Sequence, residues 1–141
     1  MSSRKITDCH PLLQPLVQDF LHNCTMAGID ILITTTWRSP REQDELYAQG
    51  RTKPGPKVTN ARAGQSAHNN MLNGLPASLA IDVVPMRSGK PVWGTRGDDL
   101  VLWQKVVKAG EDAGLESASK WATFKEWPHF QHRKYKELVT P

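Results

Sequence analysis

Leu79-Ala80-Ile81-Asp82-Val83-Val84 is an apolar run with a single carboxylate inside it. Its β-branched residues mark a strand, closed by Pro85. A lone carboxylate in such a strand is costly to bury, and coordinating a cation is one of the few ways to relieve that cost. Two distant stretches offer it company: Ser66-Ala67-His68 upstream and Glu126-Trp127-Pro128-His129 downstream. Two histidines and an aspartate can hold zinc, which in catalytic sites takes three protein ligands and keeps a fourth place for water. Glu126 and His129 are separated by two residues. In an extended or turn segment both can face one cavity, one as a base working on that water and one as a ligand.

Outward from this strand, the pattern alternates between helix and strand. Leu12, Leu13, Leu16, Val17, Phe20, Leu21 and Cys24 recur at helical spacing, entered through Pro11 and Pro15 and stopped near Gly28. Residues 29–35 (Ile-Asp-Ile-Leu-Ile-Thr-Thr) read as a strand. Ser39-Pro40-Arg41-Glu42 reads as a helix start, with Ser39 as N-cap, Pro40 in the first position and Glu42 completing a capping box; the helix ends at Gly50. Residues 51–67 carry no periodicity and form a long loop, which in a small domain points to function. Asn73-Gly74 marks a turn between His68 and the strand, and Pro91-Val92-Trp93 a short strand. Asp98 to Ala113 reads as a second long helix stopped by Gly114, and Trp121 to His132 as paired strands or a hairpin. The expected class is α+β with a small antiparallel sheet.

At 15.8 kDa the chain suits one domain, 1–141, with its core over 11–132 and a basic C-terminal tail over 133–141. No apolar run reaches the roughly 18 residues of a membrane span, so no stable membrane insertion is expected. Met1 to Thr7 are polar and no secretory signal peptide is visible, which predicts synthesis in the cytoplasm. Cys9 and Cys24 are the only cysteines, outside any CxxC pair, and are expected as thiols in the core or at its boundary. The net charge of +4 and pI near 9.2 fit a polyanionic partner. The dense cluster Arg133-Lys134-Tyr135-Lys136 reads as a solvated tail. The basic-aromatic interleaving of single-strand nucleic-acid binders is missing, so no nucleic-acid partner is expected.

Taken one at a time, the chemical residues have plainer readings. His68 could be a surface histidine in a polar loop, Asp82 a strand-end carboxylate bonding a turn, and Glu126 a solvated charge.

Longer stretches carry a resemblance. Trp37-Arg38-Ser39-Pro40-Arg41-Glu42-Gln43-Asp44-Glu45-Leu46-Tyr47-Ala48-Gln49-Gly50-Arg51-Thr52 resembles the segment Y-R-S…E-Q…L-Y-A-Q-G-R-T of phage-type peptidases of the M15 family. Those are VanY-like D-alanyl-D-alanine carboxypeptidases and L-alanyl-D-glutamate endopeptidases used as endolysins. Val58-Thr59-Asn60-Ala61 and Gly64-Gln65-Ser66-Ala67-His68-Asn69 are similar to the family's V-T-N-A…G-G-Q-S-Y-H-N. Ala80-Ile81-Asp82 is similar to its G-L-A-x-D, and Glu126-Trp127-Pro128-His129-Phe130-Gln131 to its D/E-x-P-H-F-Q. The resemblance runs from about Leu12 to His132, in family order.

It implies a Hedgehog/DD-peptidase-like zinc peptidase fold, with His68, Asp82 and His129 as Zn2+ ligands and Glu126 as general base to a zinc-bound water. Arg38 would face the scissile carbonyl, stabilising the oxyanion or holding a substrate carboxylate; the alternative is a surface arginine flanking the helix. Ser66 and Gln65 would orient the loop or contact substrate, or simply bond a turn. Gln43 would support the site from behind or lie on the helix surface. Trp127 would wall the cleft or belong to the core. The implied activity is hydrolysis of peptidoglycan stem peptides by a monomer, as a phage or prophage endolysin (L-alanyl-D-glutamate endopeptidase) that reaches the wall after release from the host cytoplasm. The alternatives are a D-alanyl-D-alanine carboxypeptidase or dipeptidase of cell-wall metabolism, and a non-catalytic peptidoglycan-binding relative, which would have no need of Glu126.

The chain departs from the pattern in three places. Ala67 replaces an aromatic, Ser78 stands where glycine is common, and thirteen residues intervene between His68 and Asp82. An insertion of roughly seven residues after Asn69 can be absorbed by a loop, because closure entropy grows slowly with length. It is expected at the cleft mouth, reshaping substrate access and leaving the ligands in place.

Overall fold

A computed structural model describes residues 2–122 and 125–140. In chain order the elements are α1 (Gln14–Met26), β1 (Asp30–Thr35), α2 (Pro40–Ala48), β2 (Met71–Leu72), β3 (Leu75–Pro76), β4 (Ala80–Arg87), β5 (Lys90–Pro91), α3 (Asp98–Asp112), β6 (Leu115–Ser117), β7 (His129–His132) and α4 (Tyr135–Leu138). The architecture is α+β: an antiparallel sheet in the order β1-β4-β7-β6, with β5 pairing on β4, and a separate β2-β3 hairpin.

The centre of the sheet assigns one face to the core and the other to chemistry. Strand side chains alternate between faces, and directly paired residues share one. Ile81 pairs with Phe130, and Phe130 in turn with Ser117. On the opposite face Asp82 pairs with His129, and Gln131 with Ala80 on one side and Glu116 on the other. Ile81 and Phe130 are fully buried in one cluster with Val17, Phe20 and Cys24 of α1 and Trp103, Val106 and Val107 of α3. Phe130 meets Phe20 at 4.8 Å between ring centroids, and Asn23 ties α1 to α3 by donating to the Ala109 carbonyl at 3.0 Å. Burying a side chain of this size contributes about 1.5–3 kcal/mol.

The local signals behave as their chemistry requires. Pro15 sits in the first turn of α1, where its missing N–H costs nothing. Ser39 caps α2 by accepting from the Glu42 N–H at 3.2 Å. The Glu42 carboxylate accepts from the hydroxyls of Ser39 and Ser2. Asn73 and Gly74 both hold positive φ at the β2-β3 turn, as a tight hairpin needs. Cys9 and Cys24 are buried thiols, pushed up to about 12 and about 11 by burial.

Four expectations need correction. Pro85 does not close β4, which runs on to Arg87; the proline carbonyl still accepts from the Val92 N–H at 2.9 Å. Only Lys90–Pro91 of the next segment is strand. The last motif lies on a paired strand, but among the described residues of 121–132 β7 is the single strand and its partners come from elsewhere: β4 on one side and β6, which was not anticipated, on the other. Thr123 and Phe124, within the stretch expected as paired strands, lie outside the described residues. Finally, residues 133–140 of the expected tail are not simply solvated. Tyr135 and Leu138 of α4 pack on Ala67, Leu79 and Ala80. Among the described residues, no helix is long and apolar enough to cross a membrane.

Gly110 marks a close approach of α3 to the sheet. A Cβ there would stand 2.6 Å from the Phe130 ring. For Gly110→Ala, overpacking of about 1–3 kcal/mol is expected to outweigh the gain of about 1 kcal/mol in helix propensity. Urea unfolding should show a lower midpoint at unchanged slope; an unchanged or higher midpoint would show that α3 can retreat.

Candidate metal centre

Three elements deliver the three candidate ligands. Asp82 and His129 face each other across β4 and β7. His68 comes from a 3-10 turn, Ala67–Asn69, at the end of the long loop. That turn is tied on every side. Ser66 Oγ accepts from the His68 N–H at 3.2 Å, and the Asn69 carboxamide oxygen accepts from the Ser66 N–H at 3.2 Å. The Asn69 amide donates to the Arg38 carbonyl at 2.9 Å, and the Arg38 N–H donates to the His68 carbonyl at 2.9 Å. Leu79 N–H donates to the Ala67 carbonyl at 2.9 Å, fastening the turn to the start of β4.

The result is a convergent donor set. His68 Nε2 lies 3.2 Å and His129 Nδ1 3.3 Å from the same oxygen, Asp82 Oδ1. The ligand atoms of the three residues all lie within 4.8 Å of one another, and both histidines are buried.

The outer nitrogens indicate what belongs at the centre. His68 Nδ1 lies 2.8 Å from the Thr36 carbonyl, which can only accept, so that nitrogen carries the proton. His129 Nε2 lies 2.9 Å from Gln131 Oε1, also an acceptor. With neutral rings, both inner nitrogens then present lone pairs to a carboxylate. Acceptors facing acceptors are repulsive unless a proton or a cation lies between them. The residues therefore fit a divalent metal, with outer hydrogen bonds of the kind that orient metal-bound histidines.

The electrostatics agree. Burial lowers the His68 imidazole and keeps it neutral, against the pull of Asp82. Burial alone would raise Asp82, but the two rings beside it win and hold its carboxyl well below the usual carboxylate range. Burial would likewise lower His129, but its bonds to Asp82 and Gln131 prevail and raise it. Asp82 is thus an anion that demands a positive neighbour.

Arg38 and Glu126 border the same space. Arg38 Nη2 lies 3.4 Å from Asp82 Oδ2 and Nη1 donates to Gln43 Oε1 at 3.1 Å. Glu126 is raised by burial and by Asp82, with His129 and Arg38 opposing, and its N–H donates to the Ala118 carbonyl at 3.2 Å. All five residues line one open cavity of about 540 Å³, walled by Leu46, Val58, Thr59 and Ala61 on one side and by Glu116, Trp121 and Gln131 on another.

Of the remaining expectations, Gln65 and Ser66 line the cavity. Gln43 does not; it is fully buried and bridges Arg38 to the Ala61 carbonyl at 2.8 Å, which makes it a support and not a substrate contact. Trp127 also turns away from the cleft, packing on the core beside Trp103 at 6.5 Å between ring centroids. Its neighbour Glu126 faces the cavity. The insertion does not reach the cleft mouth. Asn70 and Ala77 close its base through two hydrogen bonds of 2.9 Å, and no residue from 69 to 79 lines the cavity. Residues that line it without having been anticipated as site residues include the polar side chains of Glu116, Gln131, Tyr135 and Lys136. The apolar pair Tyr135 and Leu138, three apart, was the available signal for a packed helical turn.

No family model matches the chain. It is 36% identical over 130 residues to the peptidoglycan L-alanyl-D-glutamate endopeptidase CwlK of Bacillus subtilis (strain 168), covering 89% of this chain and 74% of that protein. Its fold is similar to the crystal structure of the Serratia marcescens L-Ala D-Glu endopeptidase ChiX, with a TM-score of 0.69 at 20% identity over 97% of this chain and 92% of the other. It is also similar to VanYB in complex with D-alanine-D-alanine, with a TM-score of 0.58 at 15% identity over 92% and 77% of the two chains. At these identities the two structures speak for the fold, and the CwlK alignment for kinship. With a His-Asp-His centre set between Arg38 and Glu126 on that fold, the chain belongs to the M15-like zinc peptidases.

Proposed function

We propose that this protein is a zinc-dependent endopeptidase that cuts the L-alanyl-D-glutamate bond in the peptide stem of peptidoglycan. The observation that carries the reading is one cavity in which a three-ligand centre, a half-buried carboxylate and a guanidinium converge. The choice of bond rests on the similarity to CwlK. Two imidazoles and one carboxylate suit zinc, which when bound supplies a Lewis acid and lowers the pKa of water.

The chain's own residues do the rest. Glu126, raised by burial, takes the proton from the attacking water and returns it to the leaving amine. Arg38, braced by Gln43, presents its guanidinium to the oxygen on which charge develops. Gln65 and Ser66 contact the stem from the loop side of the cleft. The net charge of +4 supports action on an anionic wall, and we propose a lysis enzyme of phage or prophage, acting after release, as the setting.

Purified sacculi digested with and without chelator test this directly. New amino-terminal glutamate, formed only when the metal is present, is the expected product; released D-alanine would reassign the bond, and no chelator-sensitive product would sink the peptidase reading.

Glu126→Ala should remain folded and metal-loaded while kcat falls about 10²–10⁴-fold; substantial remaining turnover would refute Glu126 as base. Because a base works deprotonated, kcat/KM should fall as pH drops through the raised Glu126 pKa, so the acid limb should lie above the ordinary glutamate value of about 4.3.

Arg38→Lys cannot reproduce the fork that holds Gln43 and Asp82 together. It should lower kcat about 10²–10³-fold. Steady-state kinetics on a stem peptide would check this; a rise in KM alone would assign Arg38 to substrate binding.

A further inference from the structure

The two histidine ligands are oriented by different devices. His68 Nδ1 donates to a backbone carbonyl, that of Thr36, which no side-chain substitution can reverse. His129 Nε2 faces a carboxamide, that of Gln131, which can present either an acceptor or a donor. What fixes the carboxamide lies one strand further out. Glu116, paired with Gln131 across β6 and β7, accepts from Gln131 Nε2 at 3.4 Å and from Trp121 Nε1 at 2.9 Å, both on Oε2.

Directions along this chain follow from its outer end. An indole N–H can only donate and a carboxylate can only accept. Gln131 must therefore turn its NH2 toward Glu116 and its carbonyl toward His129. The His129 proton then belongs on Nε2, and the lone pair of Nδ1 faces the centre beside Asp82 Oδ1, 3.3 Å away. Gln131 orientation is thus dictated by the network and not by a choice between look-alike atoms.

We propose that Glu116 and Gln131 are positioning residues for the metal: Glu116 sets the Gln131 amide, and Gln131 selects the His129 tautomer that leaves Nδ1 free to ligate. The inference rests on the metal reading of the site but not on the identity of the peptide bond.

Glu116→Leu tests it by removing the acceptor that fixes the Gln131 amide, while Glu116→Gln keeps one, since a single oxygen takes both the Trp121 and the Gln131 bonds. Zinc affinity, read by competition with a chromophoric chelator, should fall about 10–100-fold in Glu116→Leu and stay near the parent's in Glu116→Gln. Nitrogen-proton NMR of the zinc-loaded protein should show the His129 Nε2 proton hydrogen-bonded and slow to exchange in the parent and in Glu116→Gln, and fast to exchange in Glu116→Leu. Apo melting temperature should stay near that of the parent in both variants.

A role for Glu116 through its charge alone predicts that Glu116→Gln loses as much affinity as Glu116→Leu. Unchanged zinc affinity with an unchanged His129 Nε2 proton in Glu116→Leu would overturn the proposal, as would equal losses in the two variants or a loss that tracks a lowered apo melting temperature. A parent protein that binds no zinc would refute the metal reading, whereas a parent that binds zinc beside an unaffected Glu116→Leu would refute the relay alone.

Discussion

The pairing of Asp82 with His129 across β4 and β7 is the constraint on which the rest depends. It places a carboxylate and an imidazole on one face of the sheet, one residue away from Ile81 and Phe130 on the other. The same strands therefore carry the core and the chemistry, and side-chain alternation keeps them apart. A slip of one residue would send Phe130 into the cleft and His129 into the apolar cluster. The contact of Phe130 with Phe20, and the close approach of Gly110 to the same ring, resist that slip. Core packing thereby fixes the geometry of the ligands, and a metal bound there returns stability to the fold, since it binds the folded chain and not the unfolded one.

The cleft wall opposite the sheet is held differently. Residues 51–66 have no helix or strand, and side chains of α2 and its C-terminal turn substitute for the missing ladder. Gln43 donates to the Ala61 carbonyl, and the Asp44 carboxylate accepts from the Ala63 N–H at 2.8 Å. Arg51 donates to the Thr59 carbonyl at 3.0 Å while its guanidinium lies 3.9 Å from the centre of the Tyr47 ring. The residues of the long resembling segment thus share one physical task, to position a loop that cannot position itself. Gln43 joins the two tasks, because its amide oxygen braces Arg38 and its NH2 braces the loop.

How much of this was legible in the sequence depends on where each cause lies. The Ser39 cap, the Pro15 start, the Asn73-Gly74 turn and the glycine stops are local and were readable one by one. The strand around Asp82 was readable because an ion in an apolar run is itself a signal. β6 was not, because Leu115-Glu116-Ser117 is too short to show alternation and exists as strand only through its pairing with β7. For the same reason Glu116, readable only as a charge, emerges as a partner of Gln131. Trp127 illustrates the opposite limit: its motif neighbours Glu126 and His129 line the cleft, yet a bend before β7 leaves its ring on the core.

The departures from the family pattern also acquire causes. Ser78, where a glycine is common, is fully buried, but its hydroxyl donates to the Ala80 carbonyl at 2.6 Å and so brings no unsatisfied group into the interior. Ala67, in place of an aromatic, lies with Leu79 and Ala80 beneath Tyr135 and Leu138. A large ring at residue 67 would compete with α4 for that surface, so the small residue and the C-terminal helix form one arrangement. Its consequence reaches the cleft, because α4 brings Tyr135 and Lys136 to the cavity and Tyr135 Oη donates to the Gln65 carbonyl at 3.3 Å. The insertion behaves oppositely. Its base is closed between Asn70 and Ala77, and Asn70 Oδ1 accepts from the Thr140 N–H at 2.8 Å, so it braces the segment after α4 and stays out of the cavity lining. At the cleft of this chain, a small residue on the ligand loop thus goes together with a helix that reaches in from the C-terminal side.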